Sequence, residues 1–319
     1  MLAGMWETTL RVTCEQNVDA DPERVWALLA LPAALTVMPG RRFAFPVPAE
    51  IPGTDRLCCL IVAGQDHARC AVLDVREEVP GQLISWQTRS TRPAGKQTLT
   101  LSARPRPGGC ELSVAVTDVV PRLSKASKQR YWRHAARAWA DSLRAVAENR
   151  APWPPAGLPA DVREASRVRP LPGQTEQASG AALIDADPDA VWETVWAPET
   201  ARLIDPGTVV WAGPVPGSPQ RAAGEMRYRV MREPDDRFTA RVDVAREVTE
   251  GRAVTQRLGS PRMEVRQRVR PADGGTQLEL TTRWETSLYT KATAAAAAEE
   301  IAQQMQGQAD RYKALIEKA

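Results

Sequence analysis

The sequence predicts an α+β chain built as two tandem copies of one domain, each an antiparallel sheet of consecutive short strands closed by a long C-terminal helix. Three observations predict it. The run Asp19-Ala20-Asp21-Pro22-Glu23-Arg24-Val25-Trp26 returns as Asp185-Ala186-Asp187-Pro188-Asp189-Ala190-Val191-Trp192, an offset of 166 residues that also carries Pro32 onto Pro198 and Gly108-Gly109 onto Gly274-Gly275. A repeat of that length is a duplicated domain and not a solenoid unit. After the repeated run each half reads as strands and turns with no helical interval, which favours hairpin-connected antiparallel pairing. Each half then ends in one stretch of helical period. The expected boundaries are residues 1–150 for the first copy, 151–176 for a Pro-rich linker and 177–319 for the second copy.

In chain order, Leu10 to Val18 alternates apolar with polar, the period of a half-buried strand. Asp21 and Asp187 can accept a hydrogen bond from the free amides of a first helical turn, with Pro22 and Pro188 at the position where a missing N–H costs nothing. Val25, Trp26, Leu28 and Leu29, like Val191, Trp192, Val195 and Trp196, supply an apolar stripe. Pro32 and Pro198 stop the helix. A second short helix follows in each copy, before Pro39-Gly40 and Pro206-Gly207.

Strands are expected at Leu57 to Ala63, Ala68 to Val75, Leu83 to Thr88, Gln97 to Ala103 and Cys110 to Thr117 in the first copy. In the second they fall at Ala178 to Ile184, Val209 to Ala212, Glu225 to Met231, Phe238 to Arg246, Ala253 to Leu258, Arg262 to Val269 and Gln277 to Glu285. Trp132, Ala135, Trp139, Leu143 and Val146 recur at spacings of three and four on one closing helix, and Ile301, Met305, Tyr312 and Leu315 share a side of the other.

With 42 basic and 39 acidic side chains the net charge is +3, too balanced for a nucleic-acid partner. No stretch of about 18 apolar residues appears, so no membrane insertion is expected, and the N-terminus lacks a basic region followed by an apolar run, so a cytoplasmic protein is expected. The five cysteines lie in the first half without paired spacing and read as reduced, buried side chains. His67 and Cys70, with Asp66 beside them, lack the second pair that a metal site needs, so no metal is expected.

The order of strand, two short helices, six further antiparallel strands and one long helix, with the Asp-capped Val-Trp start, resembles the helix-grip fold of the START/polyketide-cyclase superfamily, also called SRPBCC or Bet v 1-like. The tandem arrangement resembles the didomain aromatase/cyclases. The resemblance implies a cavity between a curved sheet and the long helix that takes a hydrophobic, aromatic or polyketide small molecule. It implies a cofactor-independent polyketide cyclase/dehydratase of bacterial secondary metabolism, with an acyl-carrier protein as a possible partner. The superfamily also holds lipid carriers, drug-sequestering resistance proteins and co-chaperone-like interaction modules, which stand as the alternatives. No catalytic residue carries over from it.

Aldol closure and dehydration need an acid, a base and an apolar trough. Alternation places Met226, Tyr228 and Val230, then Phe238, Val242 and Val244, then Met263, Val265 and Gln267, then Leu278, Leu280, Thr282 and Trp284 on the inward face of the second copy. Tyr228 and Asp118 are the candidate catalytic residues. Trp86, Met226, Phe238, Met263, Gln267, Thr282 and Trp284 are the candidate substrate-binding ones. Tyr228 and Trp284 read first as core aromatics, and Asp118, just before Pro121, reads first as a turn or cap residue. Arg262, Arg266, Arg268 and Arg270 alternate along one strand and read as a solvated outer face or a docking face.

Overall fold

The computed structural model describes residues 7–48, 51, 56–63, 68–91, 96–166, 171, 174–235, 237–257, 263–286 and 291–318. In the first copy β1 (Glu7–Val18) leads into α1 (Pro22–Leu29) and α2 (Ala33–Thr36). Six strands follow: β2 (Arg41–Pro46), β3 (Leu57–Ala63), β4 (Ala68–Val79), β5 (Leu83–Thr88), β6 (Gln97–Arg106) and β7 (Gly109–Pro121). The closing helix is α3 (Lys125–Ala147), and a short α4 (Ala160–Ala165) comes after it.

The second copy repeats the plan with β8 (Thr175–Ile184), α5 (Pro188–Trp196), α6 (Thr200–Ile204), β9 (Val209–Pro214), β10 (Met226–Arg232), β11 (Phe238–Thr249), β12 (Arg252–Arg257), β13 (Met263–Ala272), β14 (Gly275–Glu285) and α7 (Lys291–Ile316). Each copy holds one seven-stranded sheet, in the orders β1-β7-β6-β5-β4-β3-β2 and β8-β14-β13-β12-β11-β10-β9. The ladders among the described residues are antiparallel. The chain is therefore two helix-grip folds in tandem. The main division between its two compact units falls between Val162 and Arg163, with Arg232–Ala240 grouped with the first unit. Within the stretch read as linker, α4 buries Val162.

Local chemistry explains why both copies start alike. The Asp21 carboxylate accepts from the Glu23 amide and that of Asp187 from the Asp189 amide, each at 2.8 Å, so one orphan donor of each first turn is satisfied. The glycine pairs do more than turn the chain. A Cβ on Gly109 would lie 2.2 Å from the Val18 carbonyl oxygen, and one on Gly275 2.3 Å from that of Ile184, so both second glycines allow the hairpin to press against the end of the first strand.

Each closing helix packs on the first and last strands of its own copy. In the first copy α3 buries Trp132, Ala136, Trp139, Leu143 and Val146 in one large core with Leu99, Leu101, Leu112, Val114 and Trp86. In the second, α7 approaches β8 so closely that a Cβ on Gly180 would meet the backbone at Met305 and Gln306, 2.3 Å away. The Gln306 amide nitrogen donates to the Ala181 carbonyl at 3.0 Å and the Lys313 ammonium to that of Leu183 at 2.8 Å, anchoring the helix along an edge strand. No described helix is long and apolar enough to cross a membrane.

Candidate functional site

Strand register decides which side chains of the second copy face α7. Thr282 Oγ1 lies 3.0 Å from Met305 Sδ, so the Leu278, Leu280, Thr282 series faces the helix. Leu280 pairs with Gln267 and Thr282 with Val265; Gln267 pairs with Ala253 and Val265 with Thr255. Thr255 in turn pairs with Ala245, and Arg257 with Asp243, before a bulge interrupts β11. Directly opposed residues share a face. The Arg229 guanidinium donates to Asp243 Oδ2 at 2.9 Å, which puts Arg227, Arg229 and Met231 of β10 on the helix side as well.

Two strands therefore differ from the expected parity. Met226 and Val230 on β10, and Phe238, Val242 and Val244 on β11, are buried but alternate away from α7. Their apolar character suggests inwardness, whereas on these strands the apolar face is the outer one and the inner face carries charge. Phe238 instead has the Arg232 guanidinium 5.3 Å over its ring. On β13 and β14 the expected parity holds.

The helix-facing residues enclose a cavity of about 130 Å³ between α5, α6, the inner face of β9 to β13, and α7. Asp205, Arg227, Arg229, Arg241, Asp243, Thr255, Gln267, Gln308 and Tyr312 line it beside Val195, Ile204, Val209, Met231 and Val265. Among the candidates from sequence, only Tyr228 and Gln267 belong to this wall. The Tyr228 hydroxyl accepts from Trp211 Nε1 at 2.9 Å and is already engaged. Thr282 is closed off under Met305, Trp284 is buried at the far end of β14, and Met263 accepts from Arg257 Nη1 at 2.9 Å.

The remaining candidates sit in the first copy. Trp86 is fully buried with the Arg56 guanidinium 5.4 Å over its ring. Asp118 accepts from Trp132 Nε1 at 3.1 Å, a helix-to-sheet tie in place of the expected cap. Asp66, His67 and Arg262 lie outside the described residues. Arg266, Arg268 and Arg270 are exposed, the solvated reading of that strand. No group of three or more potential metal-binding side chains occurs among the described residues.

The duplication supplies its own comparison. Cys58 pairs with Pro46 as Arg227 pairs with Pro214, and Leu60 with Ala44 as Arg229 with Ala212. Both sheets carry a bulge at the same place; ahead of it Leu73 opposes Thr88 as Asp243 opposes Arg257, and Val75 opposes Trp86 as Ala245 opposes Thr255. Thus Cys58, Leu60, Leu73 and Thr88 of the first copy are Arg227, Arg229, Asp243 and Arg257 in the second. Trp86 becomes Thr255. On the closing helix, the 166-residue offset turns Trp139 into Met305, Leu143 into Ala309 and Val146 into Tyr312. Three large side chains shrink, Val146 gives way to a larger tyrosine, and four weakly polar or apolar side chains become ionic, so the second copy carries charge at positions that are buried and uncharged in the first. Apolar residues mark the inner face on β13 and β14 but not on β10 and β11, so the signal for the arginines is the contrast between the two halves at matched strand positions.

Burial lowers the Arg257 guanidinium to about 10, Asp243 draws it back up, and Arg241 and Arg229 push it down, so these four groups share one electrostatic environment. Arg227 is likewise lowered by burial, against which Glu225 acts at 2.7 Å, and its guanidinium lies 3.3 Å over the Trp196 ring. Burial raises the Tyr312 hydroxyl, with Arg229 and Arg227 acting the other way. At neutral pH the cavity thus holds charged guanidinium groups and a protonated phenol. The arrangement can hold an oxygen that carries or develops negative charge and can donate a proton beside it.

No protein-family model matches the chain, and no curated protein matches it. Among solved structures, the chain is similar to the di-domain ARO/CYC StfQ from the steffimycin biosynthetic pathway, at 14% identity over 97% of this chain and 98% of that one, with a TM-score of 0.38. It is similar to the di-domain ARO/CYC BexL from the BE-7585A biosynthetic pathway at 16% identity over 97% and 98%, TM-score 0.36. Ara h 8.0201 aligns over 46% of this chain and 100% of its own length at 11% identity, TM-score 0.38.

Proposed function

We propose that the second copy binds a hydrophobic, aromatic or polyketide-type small molecule between its sheet and α7, and that the first copy is its structural companion. The observation that carries this reading is the cavity of the second copy, walled in part by Thr255, Arg229 and Asp243 at positions where the first copy buries Trp86, Leu60 and Leu73 in its core. A folded domain close-packs its interior unless the space is used, since a void forfeits dispersion contacts.

In its more specific form the reading is a cofactor-independent cyclase/dehydratase of secondary metabolism. Arg229 and Arg241 would hold the oxygen of an enolate, Asp243 would receive the proton alpha to the carbonyl, and the protonated Tyr312 would return one to a departing hydroxyl. Tyr228 shapes the wall in this scheme, and Asp118 has no part in it. Size limits the substrate. Drug-sized ligands occupy roughly 300–1,000 Å³, so about 130 Å³ takes one ring or the folded end of a longer chain. An acyl-carrier protein presenting such an end is a partner consistent with this scheme.

The test is calorimetric titration with phenol and larger phenolic polyketide mimics against the wild type and Thr255→Trp, which restores the first copy's indole. Binding to the wild type and its loss in the variant are expected; equal binding to both overturns the reading. Product analysis on the same mimics separates turnover from carriage.

A further inference from the structure

We infer that the ligand of the second copy carries a carboxylate, held by the arginine array around Asp243. This rests on the reading of the cavity as a ligand site and narrows it to a chemical class. Arg229 bonds Asp243, Arg257 stands directly across from it in the ladder, and Arg241 lines the same cavity. Three guanidinium groups thus share one carboxylate. Asp205 contributes a second at the α6 end of the cavity, and the excess is still positive.

Two other arginines of this copy each face a well-covered carboxylate. Arg227 has Glu225 at 2.7 Å and Arg246 has Glu264 at 3.2 Å, each with a carboxylate at least nine-tenths covered. The array around Asp243 breaks that balance. Arg257 has only a thioether within hydrogen-bond reach of Nη1, and its buried Nε has no partner among the described residues. Arg257 is not in the cavity wall and acts on the site through Asp243, while the Arg229 and Arg241 guanidinium groups that line it are placed to donate to a planar bidentate anion.

The first copy shows that the fold does not need these charges. Leu60, Leu73 and Thr88, all buried, occupy the positions of Arg229, Asp243 and Arg257 in the first copy. What the second copy gains by carrying them is an anion site. The volume sets the rest of the ligand: an apolar cavity of about 150 Å³ accommodates benzene, so a carboxylate on a single ring matches about 130 Å³. The Val195, Ile204, Val209 and Val265 side chains supply the apolar wall for that ring.

The experiment titrates the whole chain with benzoate, benzamide and inorganic phosphate by calorimetry, at low salt and again at about 0.3 M. Benzoate is expected to bind at least about tenfold more tightly than benzamide, and to weaken several-fold as salt rises. Arg229→Leu and Arg257→Thr, the residues of the first copy, are expected to cut benzoate affinity about tenfold or more while leaving that for benzamide within about twofold. Their thermal melts show whether they fold, and the wild-type comparison decides the matter if they do not. Benzoate and benzamide binding equally would overturn the carboxylate assignment and leave the cavity reading intact. Phosphate binding more tightly than benzoate would overturn the assignment of the class. Neither aromatic binding would overturn both.

Discussion

Asp243→Asn should destabilise the protein and strengthen its grip on benzoate at once. The carboxylate is 6% exposed and lies 2.9 Å from Arg229, whose side chain is 41% exposed. Breaking a buried pair by removing one partner costs about 3–5 kcal/mol, whereas an exposed pair contributes about 0–1 kcal/mol. The half-exposed arginine places this pair between the two, at about 1–2 kcal/mol. For a domain of this size that is a fall of ~3–6 °C in Tm. Affinity should move the other way. A ligand carboxylate at about 6 Å from Asp243 is repelled by roughly 2–3 kcal/mol at an effective dielectric of 20. Screening reduces the gain on neutralising Asp243 to about 1.4 kcal/mol, a tenfold increase. Calorimetric melting and titration on the same preparation measure both. Affinity falling together with Tm would refute the charge argument, because Asp243 would then be orienting the arginines and not opposing the ligand.

Three further outcomes are expected. Burial pushes the Glu148 carboxyl up, but the Asp19 amide, Arg144 and Arg150 outweigh it and bring it down to about 2 from an ordinary 4.5. A depressed carboxylate contributes stability above its unfolded pKa and loses it as pH falls through its folded one, so the Tm gap between wild type and Glu148→Gln should be full at pH 6 and shrink from about pH 4.5 down to 2. Gly180→Ala should cost about 1–3 kcal/mol in urea denaturation, since its Cβ would enter the α7 backbone; a neutral result would mean the helix can slide off β8. Leu143→Ala should cost about 2–5 kcal/mol and open a dry void in the first copy that takes benzene; a variant as stable as the wild type would show that this interior is not close-packed.

Much of the architecture is legible in the sequence because its signals are local. Asp21-Pro22 and Asp187-Pro188 specify a helix start within four residues, and the Gly108-Gly109 and Gly274-Gly275 turns mark the same hairpin twice. The site is less legible because parity is set non-locally. Whether Tyr228 or Arg229 faces the helix depends on ladder partners in β11 and β9, and no window of β10 contains that information. An apolar residue and an inward one coincide on β13 and β14 and part company on β10 and β11. The bulges after Val75 and Ala245 add a second break in the alternation that composition does not announce.

The Arg227 guanidinium that lines the cavity also rests on Trp196, whose indole stacks in turn on Trp192 at 5.4 Å. An occupant that draws this cation toward itself changes the field across the indole, and the excited state of tryptophan responds to such a field by shifting the colour of its emission. The molecule thus carries a label-free optical gauge of occupancy at the wall of its own cavity.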